Sequence, residues 1–337
     1  MHRKTGMTAL LALGVWLGCG DEGVPPSFGA NVLQNNSFED GLQGWWTVTD
    51  SEGGMVTTLP EAAASGALGL ALYKGKGGWG ASAGQGTPPH SVGQTVHLSA
   101  NLKGGAGGEI AYIGYHSQGF WVPLSDKWQK VSRLMLMTDD AGDAVVFITN
   151  TTEFSTIHVD DMIVAPVTVA QGDADKLPDN LLRNGSFESE LSLWDFWTDS
   201  PEGTASTSRE AGRSGYAGLV LTKGADGWAT NVKQQLVTPL AEGEQYRVEL
   251  QLQGTRGGET VEVCLQVNHD PWNGPCVAVV ASKGWKGFSQ TLSIDASLDD
   301  QRVGALVSLK SEGSVRVDDV SLILEAGTAQ SRSQASH

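Results

Sequence analysis

Basic residues are scarce in this chain: 22 Lys and Arg stand against 38 Asp and Glu, giving a formal charge of −16 with no Lys/Arg cluster to offset it. Such a surface repels phosphate backbones and anionic headgroups, which argues against nucleic-acid binding and against electrostatic adhesion to lipid. Long apolar runs are also missing. The one that exists, Met7 to Leu17, falls short of the roughly 20 residues a helix needs to cross a bilayer core. Catalytic signatures are absent as well: there is no Gly-x-Ser-x-Gly, no His-Glu-x-x-His and no phosphate-cradling loop. The seven histidines are scattered, and carboxylate pairs such as Asp139-Asp140 and Asp299-Asp300 read as turns rather than as the two sides of a hydrolytic cleft. Cysteine is limited to Cys19, Cys264 and Cys276.

What is present is a module written twice. Asn31-Val32-Leu33-Gln34-Asn35-Asn36-Ser37-Phe38-Glu39 returns as Asn180-Leu181-Leu182-Arg183-Asn184-Gly185-Ser186-Phe187-Glu188, and the same offset of 149 carries Ser65-Gly66 onto Ser214-Gly215 and Gly78-Trp79 onto Gly227-Trp228. Both copies close on paired aspartates, Ile157-His158-Val159-Asp160-Asp161 and Val315-Arg316-Val317-Asp318-Asp319. A duplicated unit of single-domain size points to paired recognition.

The N-terminus has the layout of an export signal over residues 1–18, a charged start followed by an apolar stretch. Leu17-Gly18-Cys19 resembles a bacterial lipobox, which makes Cys19 the candidate lipid anchor; plain secretion with an incidental cysteine is the alternative. Gly20 after that cysteine is not the aspartate associated with inner-membrane retention, so the expected location is the outer membrane or cell surface of a Gram-negative bacterium. Residues 19–30 read as a flexible tether, 31–166 as the first module, 167–179 as a linker, 180–325 as the second module and 326–337 as a disordered tail. Cys264 and Cys276 flank a turn and are expected to face each other as a disulfide, with a metal site including His269, or two free thiols, as the rival readings.

Inside each module, apolar and polar residues alternate over Val92 to Leu102, Tyr246 to Leu252 and Val261 to Val267, the period of half-buried strands. Further short apolar runs, punctuated by many glycines, make the expected fold all-β, two tandem jelly-roll β-sandwich domains.

The order Asn-Leu-Leu-x-Asn-Gly-Ser-Phe-Glu, Ser-Gly-x-x-Gly-Leu, Gly-Trp, Gly-Trp-x-x-Phe and a closing Val-Asp-Asp-Val-Ser-Leu resembles carbohydrate-binding modules of families four, nine and twenty-two, galactose-binding-like β-sandwiches. The second copy is the better match, and the first departs from the pattern between Gly107 and Trp128. The resemblance implies one structural Ca²⁺ per module, held by Glu39 with Asp160 and by Glu188 with Asp318; solvated strand-end carboxylates are the plainer reading. Because neighbours on a strand face opposite ways, the first aspartate of each pair is the expected ligand. It also implies sugar platforms at Trp79 and Trp228, for which a core indole over glycine is the rival reading. Phe120, Trp121 and Trp272 lie in segments that differ between the copies and are the next candidates; Trp45, Trp128, Trp194 and Trp285 are expected to pack inside. Gln118, His116, Asn231, Gln234, Asn268 and Asn273 are candidate hydrogen-bonding partners.

Three functions follow: a non-catalytic lipoprotein binding polysaccharide through both modules, an adhesion protein using the same fold to bind a cell-surface protein, and a small jelly-roll lyase or hydrolase. The irregular stretch of the first copy, where the binding-face strands should run, favours the second of these as an alternative to the first.

Overall fold

The computed structural model describes residues 24–267, 272–294, 298 and 303–325. The expected signal, Cys19, the tail, Asn268 and His269 lie outside the described residues. In the first half the chain lays down β1 (Ser27–Phe28), β2 (Trp46–Thr49), β3 (Met55–Leu59), β4 (Gly69–Lys74), β5 (Ala81–Thr87), β6 (Thr95–Gly104), β7 (Ile110–Tyr115), β8 (Gln118–Pro123), β9 (Gln129–Leu136), β10 (Ala144–Asn150) and β11 (Ser155–Thr168). The second half repeats it with β12 (Asp195–Thr198), β13 (Thr204–Ser208), β14 (Gly218–Lys223), β15 (Thr230–Gln235), β16 (Gln245–Gly254), β17 (Thr260–Val267), β18 (Cys276–Val280), β19 (Lys286–Ser293), β20 (Val303–Leu309) and β21 (Gly313–Leu324).

Each half is a sandwich of two antiparallel sheets. Strand order is β3-β4-β11-β6-β9, with β1 added on β11, against β2-β5-β10-β7-β8; the second half has β13-β14-β21-β16-β19 against β12-β15-β20-β17-β18. This is the expected all-β architecture. Inward-facing residues of the two sheets build one core per module, Leu70, Leu98, Ile113, Val146 and Val159 in the first and Leu219, Leu250, Val263, Val307 and Val317 in the second.

The repeated opening peptide explains itself locally. Asn31 Nδ2 donates to Met162 O while its Oδ1 accepts from Leu33 and Val164 N–H, and Asn180 does the same for Leu182 and Leu322, so the first asparagine sews the entrance to the last strand. Asn35 and Asn184 sit in left-handed backbone (φ 46° and 53°), a conformation their short amide tolerates, and bind the carbonyls of the turn that follows. Phe38 and Phe187 then plug the two cores against Trp45 and Trp194, with ring centroids 4.9 and 5.3 Å apart.

Several expectations change. The tether ends in order, since Ser27 and Phe28 pair with Thr168 and Val167. The linker is likewise folded onto the second module: Ala174 opens a 3₁₀ turn, is buried, and donates its N–H to Asp319 Oδ1. Trp45 and Trp194 are core residues as expected, but Trp128 and Trp285 are only half-buried at module edges. The loop after Glu188 caps the free edge of β9, where Leu134 N–H donates to Glu190 Oε2 (3.3 Å) and Leu136 N–H to Ser192 Oγ (2.6 Å). That covers backbone groups an edge strand would otherwise expose.

Candidate functional site

The outer face of the sheet β2-β5-β10-β7-β8 carries the most distinctive chemistry. Register fixes which side chains meet there, because residues directly opposite share a face. One row across the five strands reads Trp46, Gly84, Phe147, Gly114, Gly119; the next reads Val48, Ser82, Thr149, Tyr112, Trp121. Glycines leave room for rings to lie flat: a Cβ on Gly84 would stand 2.1 Å from Cζ2 of Trp46, and one on Gly114 would stand 2.5 Å from Cζ of Phe147.

Trp79 joins this face from the loop before β5. It is 51% exposed and meets Tyr112 edge-on at 6.0 Å; Tyr112 in turn lies 4.8 Å from Trp121 and 5.7 Å from Phe147. The loop is pinned by Asp50, whose carboxylate accepts from Trp79 N–H and Gly80 N–H at 2.8 and 2.9 Å. Those two bonds, Trp79's first, hold the Asp50 pKa below the ordinary carboxylate value. Asp199 does the same for Ala229 and Trp228, whose N–H groups lie 2.9 and 2.8 Å away, and its pKa is lowered for the same reason. Neither aspartate was read as functional from sequence, although each precedes its tryptophan by the same 29 residues.

The second module keeps the fold and exchanges the surface. Its matching rows are Asp195, Lys233, Leu306, Cys264, Cys276 and Trp197, Asn231, Ser308, Glu262, Ala278. Cys264 and Cys276 form the expected disulfide, lying directly opposite each other on this face, so neither of the rival cysteine readings holds. Trp228 is 60% exposed, but the Lys310 ammonium lies over its ring at 2.7 Å from the centroid, 3.5 Å from Glu262. One face of that indole is thereby covered from within the chain.

Phe120 is not where the sequence placed it. It stands on β8 opposite Ile113, turned away from Trp121; it packs against the core, with the Arg133 guanidinium over its ring at 4.6 Å. Phe120 and Trp121 are neighbours on a strand, which sends them to opposite faces. Trp272 is exposed in the turn between β17 and β18. Gln234 is structural, its amide bridging the N–H and C=O of Arg183, while Asn231 lies on the face beside Trp197. Gln118 donates to Leu136 O, and Asn273 is exposed. Sequence reasoning missed Trp46, Tyr112, Phe147 and Trp197, which only cross-strand register gathers.

At the other candidate site, the chain bulges at Asp161 (φ 49°) and Asp319 (φ 51°), so strand alternation fails and both aspartates of each pair face the same loop. Asp160 Oδ2 accepts from Ala64 and Ser65 N–H and Asp161 Oδ1 from Ser65 Oγ; Asp318 Oδ2 accepts from Arg213 and Ser214 N–H and Asp319 Oδ1 from Ser214 Oγ. Glu39 binds Ala67 and Leu68 N–H through both oxygens. Glu188 binds Tyr216 and Ala217 N–H through Oε1 alone, leaving Oε2 buried without a partner. Gly66 and Gly215 pass directly over these glutamates in left-handed backbone, where a Cβ would fall 2.1 and 2.0 Å from Oε1. Burial, foremost, pushes Glu188 up to about 7 and Asp318 up to about 8, and raises Asp160 and Asp175 as well.

No curated protein matches the chain. Solved structures similar to it include the tandem CBM22-1–CBM22-2 domains of Paenibacillus barcinonensis Xyn10C (14% identity, 88% of this chain and 97% of that one, TM-score 0.36). A family 16 carbohydrate-binding module (17%, 43% and 99%, 0.34) and a CBM4 module (20%, 42% and 99%, 0.33) are similar to a single half. The model of a carbohydrate binding domain matches twice, over residues 30–156 and 179–308, and the chain therefore belongs to that carbohydrate-binding family, in tandem.

Proposed function

We propose that this protein is a non-catalytic polysaccharide-binding protein whose principal site is the outer sheet face of the first module. One observation carries the reading: Trp46, Phe147, Tyr112, Trp121 and Trp79 gather on one uncharged face, where Gly84, Gly114 and Gly119 leave room for the first three rings. The C–H face of a pyranose stacks on such rings, and the Tyr112 hydroxyl offers a hydrogen bond to its edge; Ser82 and Thr149, beneath the rings, are buried and bonded to each other at 2.8 Å. Five strands about 4.8 Å apart make the strip roughly 19 Å wide, room for an oligosaccharide rather than a single sugar. The first copy's irregular stretch, β7 and β8, is what supplies Tyr112 and Trp121; it extends the sugar site and so weighs against the adhesion reading.

The second module adds a different surface, Trp197 and Trp228 among Asp195, Lys233, Glu262 and Lys310, suited to a more polar stretch of glycan. With the two modules on one chain, binding at one raises the effective concentration for the other. Affinity electrophoresis of the full chain against a polysaccharide panel, beside Trp79→Ala and Trp121→Ala, tests the assignment. Retardation of the wild type that both variants weaken supports it. Equal mobility on every polysaccharide hands the face to a protein partner, and new reducing or unsaturated ends mark a lyase or hydrolase.

Calcium belongs to the same proposal. The buried, unpartnered Oε2 of Glu188, with the Asp175 and Asp319 carboxylates close enough to repel it and Asp319 in turn repelling Asp318, supports Ca²⁺ as a hard cation that these oxygens would draw together, neutralising the repulsion and joining the opening peptide to the last strand. Glu39 and Asp160 are the matching donors of the first module. Export by the N-terminal signal and a lipid on Cys19, placing the modules on the outer surface, complete the proposal.

A further inference from the structure

Trp79 lies at the end of the first module's outer sheet where β10 finishes; at the other end, three potential ligand atoms of His90, His116 and Asp139 lie within 4.8 Å of one another. His90 is locked in place by reciprocal backbone bonds with Ala141, at 3.2 and 3.1 Å, and is 4% exposed. Its Nδ1 meets the Tyr115 hydroxyl at 3.4 Å, and its Nε2 is buried with no partner. His116 occupies the turn between β7 and β8 in left-handed backbone (φ 51°), with Nε2 3.2 Å from Asp139 Oδ2. A buried imidazole nitrogen without a partner and a non-glycine residue at positive φ each cost free energy, and both are kept here.

The fold does not require the buried imidazole. The matching bridge of the second module pairs Leu240 with Leu298, both buried and apolar, where the first pairs His90 with Ala141. Where the second module closes with two leucines, the first places an imidazole, with His116 and Asp139 beside it. We propose that it binds one divalent transition-metal ion of the zinc class through His90 Nε2, His116 Nε2 and Asp139 Oδ2. Two imidazoles and a carboxylate suit such an ion rather than calcium, and Asp139, half-exposed, leaves a fourth position open to solvent. With Nδ1–H as the donor in its 3.4 Å contact with Tyr115 Oη, His90 would turn the Nε2 lone pair to the metal. Asp140 stands outside the cluster, its Oδ1 accepting from Val92 N–H at 2.7 Å. The ion would clamp the β7–β8 turn to the loop before β10, at one end of the aromatic face.

The test uses the full chain, stripped with chelator, supplied with Ca²⁺ and titrated with Zn²⁺ by calorimetry and with Co²⁺ by visible absorption. The expected result is one zinc per chain and a four-coordinate Co²⁺ spectrum. His90→Leu, which installs the second module's own solution, and His116→Ala, at an accessible turn, should each weaken zinc by on the order of tenfold or more and abolish the Co²⁺ bands. Either variant alone suffices should the other not fold. Absence of zinc uptake by the wild type, or zinc affinity unchanged in a folded variant, overturns the site.

Discussion

Gly84→Ala tests the aromatic face without touching an aromatic residue. The added Cβ would stand 2.1 Å from Cζ2 and 2.5 Å from Cε2 of Trp46, against 3.4 Å for ordinary contact, so the indole has to leave the sheet by more than an ångström. A stacked aromatic contributes about 1 kcal/mol beyond its area, so losing it lowers affinity by a factor of at least about five. Trp46→Ala should show the same loss. The double variant should lose little more than either single change, because both act on one contact and their effects are then non-additive. Calorimetric titration with the best oligosaccharide from the panel measures all four proteins, with thermal unfolding as the check that each is folded. The Val146 carbonyl, 2.7 Å from the new methyl, will lower stability in Gly84→Ala but not in Trp46→Ala. Unchanged affinity in folded Gly84→Ala, or losses that simply add, would refute a stacked Trp46.

Other outcomes follow from the same structure. Asp50→Ala removes the acceptor for Trp79 and Gly80 N–H, and should weaken binding several-fold through the loosened loop while leaving the fold intact by circular dichroism. Lys310→Gln uncovers Trp228, and in a Trp121→Ala background it should raise residual glycan affinity in gel retardation. Replacing both cysteines of the 264–276 pair with serine opens a 12-residue separation and should cost about 3 kcal/mol in the entropic account, seen as a lower Tm. Calcium-free protein should lose Tm as pH rises from 5 to 9. With Glu188 at about 7 and Asp318 at about 8 when folded and near 4 when unfolded, the folded state holds more protons across that window, so raising pH favours unfolding. Added Ca²⁺ should restore more Tm at pH 8 than at pH 5; an equal gain at both would exclude these carboxylates as its ligands.

The duplication, the all-β fold and the buried Trp45 and Trp194 were legible because they are written in short-range pattern: a repeated peptide, a period of two, an indole beside a strand. Cys264 and Cys276 were legible as a pair for the same reason, since only a turn separates them. The binding face was not, because Trp46, Phe147, Tyr112 and Trp121 come from four strands far apart in the chain and meet only through register. Asp161 and Asp319 misled for a local reason: a bulge turns each back to its neighbour's side. Comparing the copies position by position reveals where the surface diverges. Trp46 stands where the second module has Asp195, and His90 where it has Leu240, so conserved packing frames faces of different chemistry.

The most direct measurement is calorimetric titration of a retained oligosaccharide into the wild type and into a Trp46→Ala, Tyr112→Ala, Trp121→Ala triple variant, beside a Trp197→Ala control on the second module. The triple variant is expected to lose the tightest binding event and the control to keep it. A triple variant that is folded and binds as the wild type does would contradict the assignment of the sugar site to the first module's face.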